Sequence, residues 1–323
     1  MFHDALMPFA ERRIIRMNIK NGNIGKIINH LRQEKKITLK KLCYGICSVS
    51  TLHRIETGER EGDIFLLQRL LEKLGGTLED YEVFISKKEL ENYMHQEEIR
   101  KLMKKEIRIE TEIALERYKR NIKGSNILQE QFVKEVQAYF YKIDKNYINA
   151  IKCLEEAISM TVIKDSDIFL LSKVLLCRTE LELFIELADN YELLNEKEKT
   201  NQIHLELWKY LERNKVVDEK NMDLYLKVIY QIANYYMKMK EVKLTLFICN
   251  KVIKLEAKNT YLYYLPEFIY LKALCIQMIY GKIKYEEEVY LSTQAYYIFR
   301  LMNKFERAAE VKKFIEVKLN GNL

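Results

Sequence analysis

Residues 38–58 read TLKKLCYGICSVSTLHRIETG, two short amphipathic segments separated by a glycine. Thr38 and Ser48 each precede a segment whose apolar residues recur at helical spacing, and a hydroxyl in that position is suited to cap the first turn of a helix. Gly45 breaks the first segment, and Gly58 stands just past the second, where a left-handed residue commonly ends a helix. The pattern therefore predicts two short helices joined by a tight turn.

Helical patterns also flank this stretch. Residues 24–35 and 64–74 place their apolar residues on one face, and a further short helix is predicted at Thr77–Phe84. Five short helices with a tight turn between the second and the third are typical of helix-turn-helix architecture. We therefore predict a DNA-binding domain over residues 21–85, preceded by an N-terminal extension over residues 1–20.

This domain resembles the Cro/CI-type (XRE-family) DNA-binding domain, which has a lambda-repressor-like five-helix fold. The residues that carry the resemblance run from the first helix to the end of the fourth: Leu31, Arg32, Ile37, Thr38, Leu42, Gly45, Ile46, Ser48, Leu52, Arg54, Ile55, Glu56, Gly58, Leu71, Leu74 and Gly75. The resemblance implies an ion pair between Arg32 and Glu56. The chain departs from the family in Leu39, where a glutamine is frequent, and in a turn one residue shorter, as in the Rgg-like branch.

The resemblance also implies that the third helix enters the major groove of double-stranded DNA. Its candidate DNA contacts are Ser48, Val49, Ser50, Thr51, His53 and Arg54, among which the arginine is suited to guanine or to phosphate. Candidate phosphate contacts beside the second helix are Lys35, Lys36, Lys40 and Lys41. The residues alone leave two alternatives open, namely that these lysines are only a solvated face and that Arg54 is purely structural.

The composition of the 323-residue chain favours helices throughout. It has only 10 glycines and 2 prolines, whereas average usage of about 7% and about 5% predicts roughly 23 and 16. Sheet proteins need these residues for turns, so the shortage predicts an all-α protein with few sharp turns. Seven of the glycines lie in residues 1–76, which also carry 14 Lys and Arg against 8 Asp and Glu. A basic N-terminal domain of this kind is typical of a nucleic-acid partner.

The rest of the chain, residues 86–323, reads as one helix after another. Helices are predicted at 86–103, 107–122, 127–143, 147–161, 166–189, 196–213, 220–238, 241–256, 261–280, 284–302 and 304–318. Two stretches, 138–160 and 233–255, carry small residues at the spacing of tetratricopeptide repeats (TPR). This domain resembles a divergent TPR array that lacks the usual closing prolines. The predicted fold class is therefore all-α, a helix-turn-helix domain followed by a TPR-like α-solenoid.

Such an array has a concave surface formed by the first helix of each pair, and function usually lies there. Asparagine and glutamine amides are suited to bind an extended peptide backbone, and aromatic rings to hold its apolar side chains. The candidate peptide-binding residues are Tyr139, Lys142, Arg178, Lys227, Tyr230, Gln231, Asn234, Tyr270 and Gln277, with Glu182 beside Arg178. The alternative that most of the tyrosines belong to the core stays open.

Taken together, the two halves resemble the RRNPP family of Gram-positive regulators, which includes Rgg and PlcR. The resemblance implies a cytoplasmic homodimer that binds operator DNA and a short signalling peptide, with the last helices, near 284–318, contributing to the dimer. It carries the family's peptide-gripping asparagines onto Asn234 and, as amide for amide, onto Gln231. The alternatives are an array that binds a protein partner and one that acts only as a dimerisation scaffold.

An enzyme, a metalloprotein and a membrane protein are disfavoured by the residues. No glycine-rich phosphate loop and no HExxH motif occurs, and no apolar run reaches the ~18 residues needed to cross a bilayer. Cys43 and Cys47 have i,i+4 spacing without a second ligand pair, so packing explains them better than zinc. We predict no cofactor and no metal, and the scattered cysteines favour a reducing cytoplasm.

Overall fold

The described residues of the computed structural model are 24–78, 81, 87–122, 126–162, 164–165, 168–169, 171, 174–214, 222–259 and 264–320. They form two compact units, Met1–Glu91 and Asn92–Leu323, divided six residues beyond the boundary that the sequence suggests. The predicted extension over residues 1–20 and most of the helix predicted at Thr77–Phe84 lie outside the described residues.

Among the described residues, the N-terminal unit contains α1 to α4 and the start of α5. The helices are α1 Ile24–Glu34, α2 Leu39–Cys43, α3 Val49–Thr57, α4 Ile64–Lys73 and α5 Lys87–Lys104. Every helix from α1 to α4 contributes an apolar side chain that is at most 1% exposed: Ile28, Leu42, Leu52, Ile55 and Leu70. The predicted amphipathic faces therefore do meet in one core, whose burial drives the packing of helices too short to be stable alone.

The second unit is a succession of helices that continues from α5. They are α6 Arg108–Asn121, α7 Ile127–Ile143, α8 Tyr147–Ser159, α9 Arg178–Leu193, α10 Lys197–Asn214, α11 Met222–Lys238, α12 Val242–Asn259, α13 Leu265–Tyr280, α14 Tyr285–Leu301 and α15 Phe305–Asn320. The small residues predicted to pack between paired helices are at most 2% exposed: Ala138, Ala150, Ala157, Ala233, Thr245 and Cys249. The all-α prediction is confirmed, apart from one pair of two-residue strands.

That pair corrects the helix predicted at 166–189. Strands β1 (Lys164–Asp165) and β2 (Ile168–Phe169) pair in antiparallel register, and α9 begins only at Arg178. The stretch between Ser166 and Cys177 is mostly apolar, and periodicity alone cannot distinguish a strand from a helix in a short apolar run. The helix starts where the N–H of Cys177 donates to Glu180 Oε2 at 2.8 Å.

The expectation of few sharp turns is also wrong. Five connections between consecutive helices are only three residues long, and the middle residue of each has a φ of 56° to 63° although none is glycine. These residues are Glu106, Lys145, Asn195, Lys240 and Asn303. In each connection the third N–H donates to the carbonyl five residues earlier at 2.8–3.1 Å, as in a Schellman turn. The sequence was misleading because a left-handed position normally calls for glycine.

One histidine is buried in the array and forms no ion pair with the described residues. His204 of α10 is 3% exposed, and its ring packs edge-on against Tyr235 of α11 with centroids 4.7 Å apart. Its Nδ1 atom is buried and has no hydrogen bond among the described residues. Burial, helped by the charge of Lys238, lowers the pKa of His204 from 6.5 to about 4. The folded array therefore holds this imidazole neutral.

This lowered pKa predicts a loss of stability in acid. The unfolded chain binds the proton at a pKa of 6.5 and the folded chain only at about 4, so the contribution is complete above pH 6.5 and is lost as the pH falls towards 4. The shift corresponds to about 3 kcal/mol of unfolding free energy. Urea unfolding of the wild type and of His204→Phe at pH 7 and pH 4.5 should show a steeper acid loss for the wild type. Equal losses in the two proteins would contradict the assignment.

Candidate functional site

The turn between α2 and α3 is built by local hydrogen bonds that the sequence anticipates. The hydroxyl of Thr38 accepts from the N–H of Lys41 at 3.2 Å, and that of Ser48 accepts from the N–H of Thr51 at 3.0 Å. Gly45 has a φ of 73° in the turn, and Gly58 has a φ of 81° at the end of α3. Both ends of α3 are therefore capped, so local hydrogen bonds fix where this helix begins and ends.

The outward side of α3 carries most of the predicted DNA contacts. Val49 is 44% exposed, Ser50, His53 and Arg54 are exposed, and Thr51 is half-buried. The guanidinium of Arg54 lies 3.9 Å from the carboxylate of Glu59, and both side chains are more than half exposed. This surface offers a cation, hydroxyls and an apolar side chain to the solvent, the groups that read base edges and phosphates.

The remaining predicted DNA contacts, Ser48 and four lysines, lie outside α3. Ser48 is exposed, but its hydroxyl already caps α3 and also lies 2.9 Å from that of Thr51. The exposed lysines are Lys35 and Lys36 in the connection between α1 and α2, and Lys40 and Lys41 within α2. They lie on the two segments that lead into the turn, where they add positive charge to the N-terminal unit.

An ion pair inside the N-terminal unit joins α1 to α3. Arg32 donates from Nε and Nη2 to the two carboxylate oxygens of Glu56, both at 2.7 Å. It also donates to the carbonyl of Ile37 at 3.0 Å and to Asn29 Oδ1 at 3.2 Å. The side chains are 13% and 4% exposed. The pair that the family resemblance implied is therefore present, bidentate and nearly buried, and it fixes α3 from behind its exposed side.

In the array, ion pairs link alternate helices across one surface, which we call the first-helix surface. Lys142 of α7 lies 2.6 Å from Glu186 of α9, and Arg178 of α9 lies 2.7 Å from Asp223 of α11. Lys238 of α11 is likewise 2.7 Å from Glu192 of α9. Lys142 and Arg178, both predicted to bind peptide, lie on this surface but are engaged with carboxylates.

A row of polar side chains on α11 makes no such ion pair with the described residues. Lys227, Gln231 and Asn234 follow one another at spacings of four and three residues, so they lie on one side of the helix. All three are half-buried, and within the described part of the chain no ion pair involves Lys227. The Oε1 atom of Gln231 is buried and accepts no hydrogen bond from the described residues. Among the described residues, this α11 row therefore has hydrogen-bonding capacity that no other side chain uses.

Two tyrosines lie beside this surface. The hydroxyl of Tyr139 on α7 is buried and has no hydrogen bond among the described residues, and burial raises its pKa. The ring of Tyr230 packs at 5.5 Å from Tyr264 and 5.6 Å from Phe268, and Arg307 of α15 donates to its hydroxyl at 3.3 Å. Tyr230 is therefore held by an aromatic cluster, whereas Tyr139 has an unused hydroxyl.

The two candidates on α13 differ. Tyr270 is 8% exposed and its ring packs edge-on against Phe314 of α15 at 5.6 Å. The prediction that it lines the groove is therefore wrong, because a large aromatic side chain on a largely apolar helix is stabilised in the core between α13, α14 and α15. Gln277 is half-buried near the end of α13 and stays a candidate.

The carboxylates of α9 are the site residues that sequence reasoning missed. Glu186 and Asp189 follow Glu182 at spacings of four and three residues on the first-helix surface. Burial and the neighbouring Glu186 raise the pKa of Asp189 from 3.8 to about 6. The spacing of these three carboxylates can be read in the sequence. The helix predicted at 166–189 ended at Asp189, however, so the row was not recognised as one side of a helix that continues to Leu193.

The cysteine side chains are thiols, and five of the six are buried. All six cysteines are free, and burial raises the pKa of Cys47 to about 11. No group of three or more histidine, cysteine or carboxylate side chains suited to a metal ion occurs among the described residues. Within the same residues, no helix is both long and apolar enough to cross a membrane.

Comparison with known proteins yields structural neighbours only. No protein-family model and no curated protein matches the sequence. PlcR of Bacillus thuringiensis, solved in complex with the peptide PapR7 and DNA, aligns over 92% of this chain and 99% of its own with 19% identity and a TM-score of 0.53. ComR of Streptococcus vestibularis is also similar, with 13% identity and a TM-score of 0.49 over 92% of this chain and 98% of its own. The pheromone receptor Rgg2 of Streptococcus dysgalactiae has 16% identity and a TM-score of 0.47 over 91% of this chain and 99% of its own. The chain thus has the fold of PlcR over nearly its whole length.

Proposed function

We propose that the chain is a sequence-specific, DNA-binding transcriptional regulator rather than an enzyme. It acts as a cytoplasmic homodimer whose TPR-like array binds a short signalling peptide, and peptide binding controls operator binding. The fold shared with PlcR, whose structure contains both a peptide and DNA, supports this proposal. The local geometry described above supports it independently of the fold.

The DNA-binding half of the proposal is carried by the exposed, capped helix α3. A recognition helix must present its side chains to the major groove while its backbone is held rigidly. In this chain the caps at Ser48 and Gly58 fix the helix ends, and the pair of Arg32 with Glu56 holds it from the core side. The charge of +6 over residues 1–76 (14 basic against 8 acidic residues) favours a polyanionic partner.

Removal of the exposed cation on α3 tests this half. We expect Arg54→Ala to weaken binding to the selected operator about 5- to 150-fold, because a contact to guanine or phosphate is worth about 1–3 kcal/mol. Arg117→Ala is a matched control, since Arg117 is also half-exposed and also lies 3.9 Å from a glutamate. Electrophoretic shifts at several salt concentrations measure both variants. Operator affinity and salt slope that do not change in Arg54→Ala would contradict the role.

The peptide-binding half is carried by the α11 row. An amide donates and accepts hydrogen bonds at once, so Gln231 and Asn234 are suited to the backbone of an extended peptide. A buried acceptor without a partner costs about 1–3 kcal/mol, and the Oε1 atom of Gln231 is in that state among the described residues. A peptide N–H would satisfy it, and Lys227 would attract a carboxylate of the same peptide.

Dimerisation connects the two halves. One small helix-turn-helix module covers too little DNA for tight specific binding, whereas two modules on a two-fold axis read half-sites about one helical turn apart. A peptide controls such a dimer only if it binds one arrangement of the modules more tightly than the other. The proposal therefore requires that DNA and peptide affect each other's affinity reciprocally.

Selection of DNA sites with the purified full-length protein, with and without fractionated culture peptides, tests the whole proposal. We expect an inverted repeat to be enriched and its affinity to change with one peptide fraction. If no DNA site is enriched, the proposal that the chain is a DNA-binding regulator is overturned. If a site is enriched but no peptide fraction alters its affinity, the chain is a regulator whose array binds a protein partner or serves only to form the dimer.

A further inference from the structure

A cavity of about 500 Å³ lies between α8, α9 and α10. Its walls include Ile148 and Ile151 of α8, Phe184 and Leu187 of α9, and Ile203 of α10. Binding sites for small molecules have volumes of about 300–1,000 Å³. The cavity therefore has the size of a ligand site.

The cavity and the first-helix surface lie on opposite sides of α9. At 100° per residue, Phe184, Leu187 and Tyr191 point away from the side that carries Glu186 and Asp189. The other two walls belong to the second helices of their pairs, α8 and α10. A ligand in this cavity would therefore occupy a different site from a peptide bound to α11.

Eight of the fourteen residues that line the cavity are apolar or aromatic, and some of these are exposed. Phe184 and Leu187 are at most 1% exposed and form a tightly packed floor, whereas Ile148 is 59% and Leu194 36% exposed. These last two side chains stand where α8 and α9 border the cavity, in contact with water. An apolar ligand would cover both, and this burial is the main driving force for binding.

Charged side chains of both signs also line the cavity: Lys152, Lys199, Glu155, Glu196 and Glu206. Tyr191 donates its hydroxyl proton to Glu155 at 2.7 Å, and the ammonium of Lys199 lies 5.0 Å from the centre of the Tyr191 ring. Glu206 is paired with Lys209 at 2.9 Å. Because two positive and three negative side chains line the cavity, their charges nearly balance and do not favour an ion of either sign. The cavity favours a neutral ligand whose surface is mostly apolar.

We propose that the cavity between α8, α9 and α10 is a second ligand site, which takes a neutral, mostly apolar small molecule. This inference goes beyond the proposed regulator and does not depend on it. The site would remain whether the first-helix surface binds a peptide, a protein or nothing.

Titration of the full-length chain with the neutral dye Nile red, whose fluorescence rises in an apolar environment, tests the site. We expect one dye per chain with low-micromolar affinity. Ile148→Glu and Leu194→Glu place a charge beside the apolar walls at positions already exposed, so the fold should tolerate them. Each should weaken dye binding at least tenfold.

Two substitutions of the same kind elsewhere serve as controls. Ile109 on α6 is 70% exposed and Leu244 on α12 is 39% exposed, and neither borders the cavity. Ile109→Glu and Leu244→Glu should change dye affinity less than twofold, with helical circular dichroism intact in all four variants. The proposal is overturned if the wild type does not bind the dye, or if the controls lose affinity as much as Ile148→Glu and Leu194→Glu.

Discussion

Replacement of Arg32 by methionine is expected to destabilise the N-terminal unit by about 3 kcal/mol, since breaking a buried ion pair leaves the partner charge uncompensated. Glu56 is 4% exposed and receives two 2.7 Å hydrogen bonds from Arg32. Methionine fills much of the same volume, so the loss of charge and hydrogen bonds dominates. Hydrogen exchange of the α1 and α3 amides in the full-length chain measures the effect, and operator affinity should fall with it.

The double variant Arg32→Met, Glu56→Leu separates the ion pair from packing. With both charges removed, no carboxylate is stranded, so the double variant should be more stable than Arg32→Met alone. If the loss of unfolding free energy in the double variant equals the sum of the losses in Arg32→Met and Glu56→Leu, the two side chains act independently. In that case the pair would not be what holds α3 in place.

The second large effect is expected from the α11 row. We expect the double variant Gln231→Met, Asn234→Leu to lose about 100-fold in affinity for the active peptide, because each amide contributes up to about 1.5 kcal/mol of hydrogen bonding to the peptide backbone. Both substitutions keep the shape of the side chain approximately and remove only its polar atoms. Fluorescence anisotropy with the labelled peptide recovered from the active fraction measures the loss.

The stability of this variant distinguishes a binding role from a structural one. The Oε1 atom of Gln231 is buried without a hydrogen bond among the described residues, so methionine should leave the melting temperature unchanged or raise it. Asn149→Leu on α8 is the control and should leave peptide affinity intact, because Asn149 is a half-buried asparagine away from the first-helix surface. A variant that melts early, or that keeps full peptide affinity, would refute the assignment.

The helix-turn-helix unit was predictable because its determinants are local. Thr38, Ser48 and Gly58 act on backbone groups within three residues, so their roles can be read without knowing the tertiary structure. The pair of Arg32 with Glu56 joins positions 24 residues apart, and only the resemblance to a family pointed to it. The positions of the described helices beyond α9 follow the predicted ranges closely, because each helix has a long amphipathic pattern.

The site on the array was less predictable because it depends on which side of each helix meets a neighbour. Tyr270 and Tyr139 are both tyrosines at helical positions, yet Tyr270 packs on Phe314 whereas Tyr139 has a buried hydroxyl without a partner among the described residues. Lys142 and Arg178 lie on the first-helix surface, but their carboxylate partners are 44 and 45 residues further along the chain. Such pairings are set by the packing of helices, which single-sequence patterns do not specify.

The left-handed residues in the three-residue connections bear on how the array opens. The left-handed conformation costs Glu106, Lys145 and Lys240 about 1–2 kcal/mol each that a glycine would not pay, and costs Asn195 and Asn303 less. A repeat array has mainly nearest-neighbour contacts, so this strain weakens each helix pair where it stands instead of being shared by the whole. The pairs should therefore separate singly, at free energies below that of global unfolding. Because this chain places residues other than glycine in its short connections, each connection is strained. Each helix pair is therefore expected to be a unit of local unfolding.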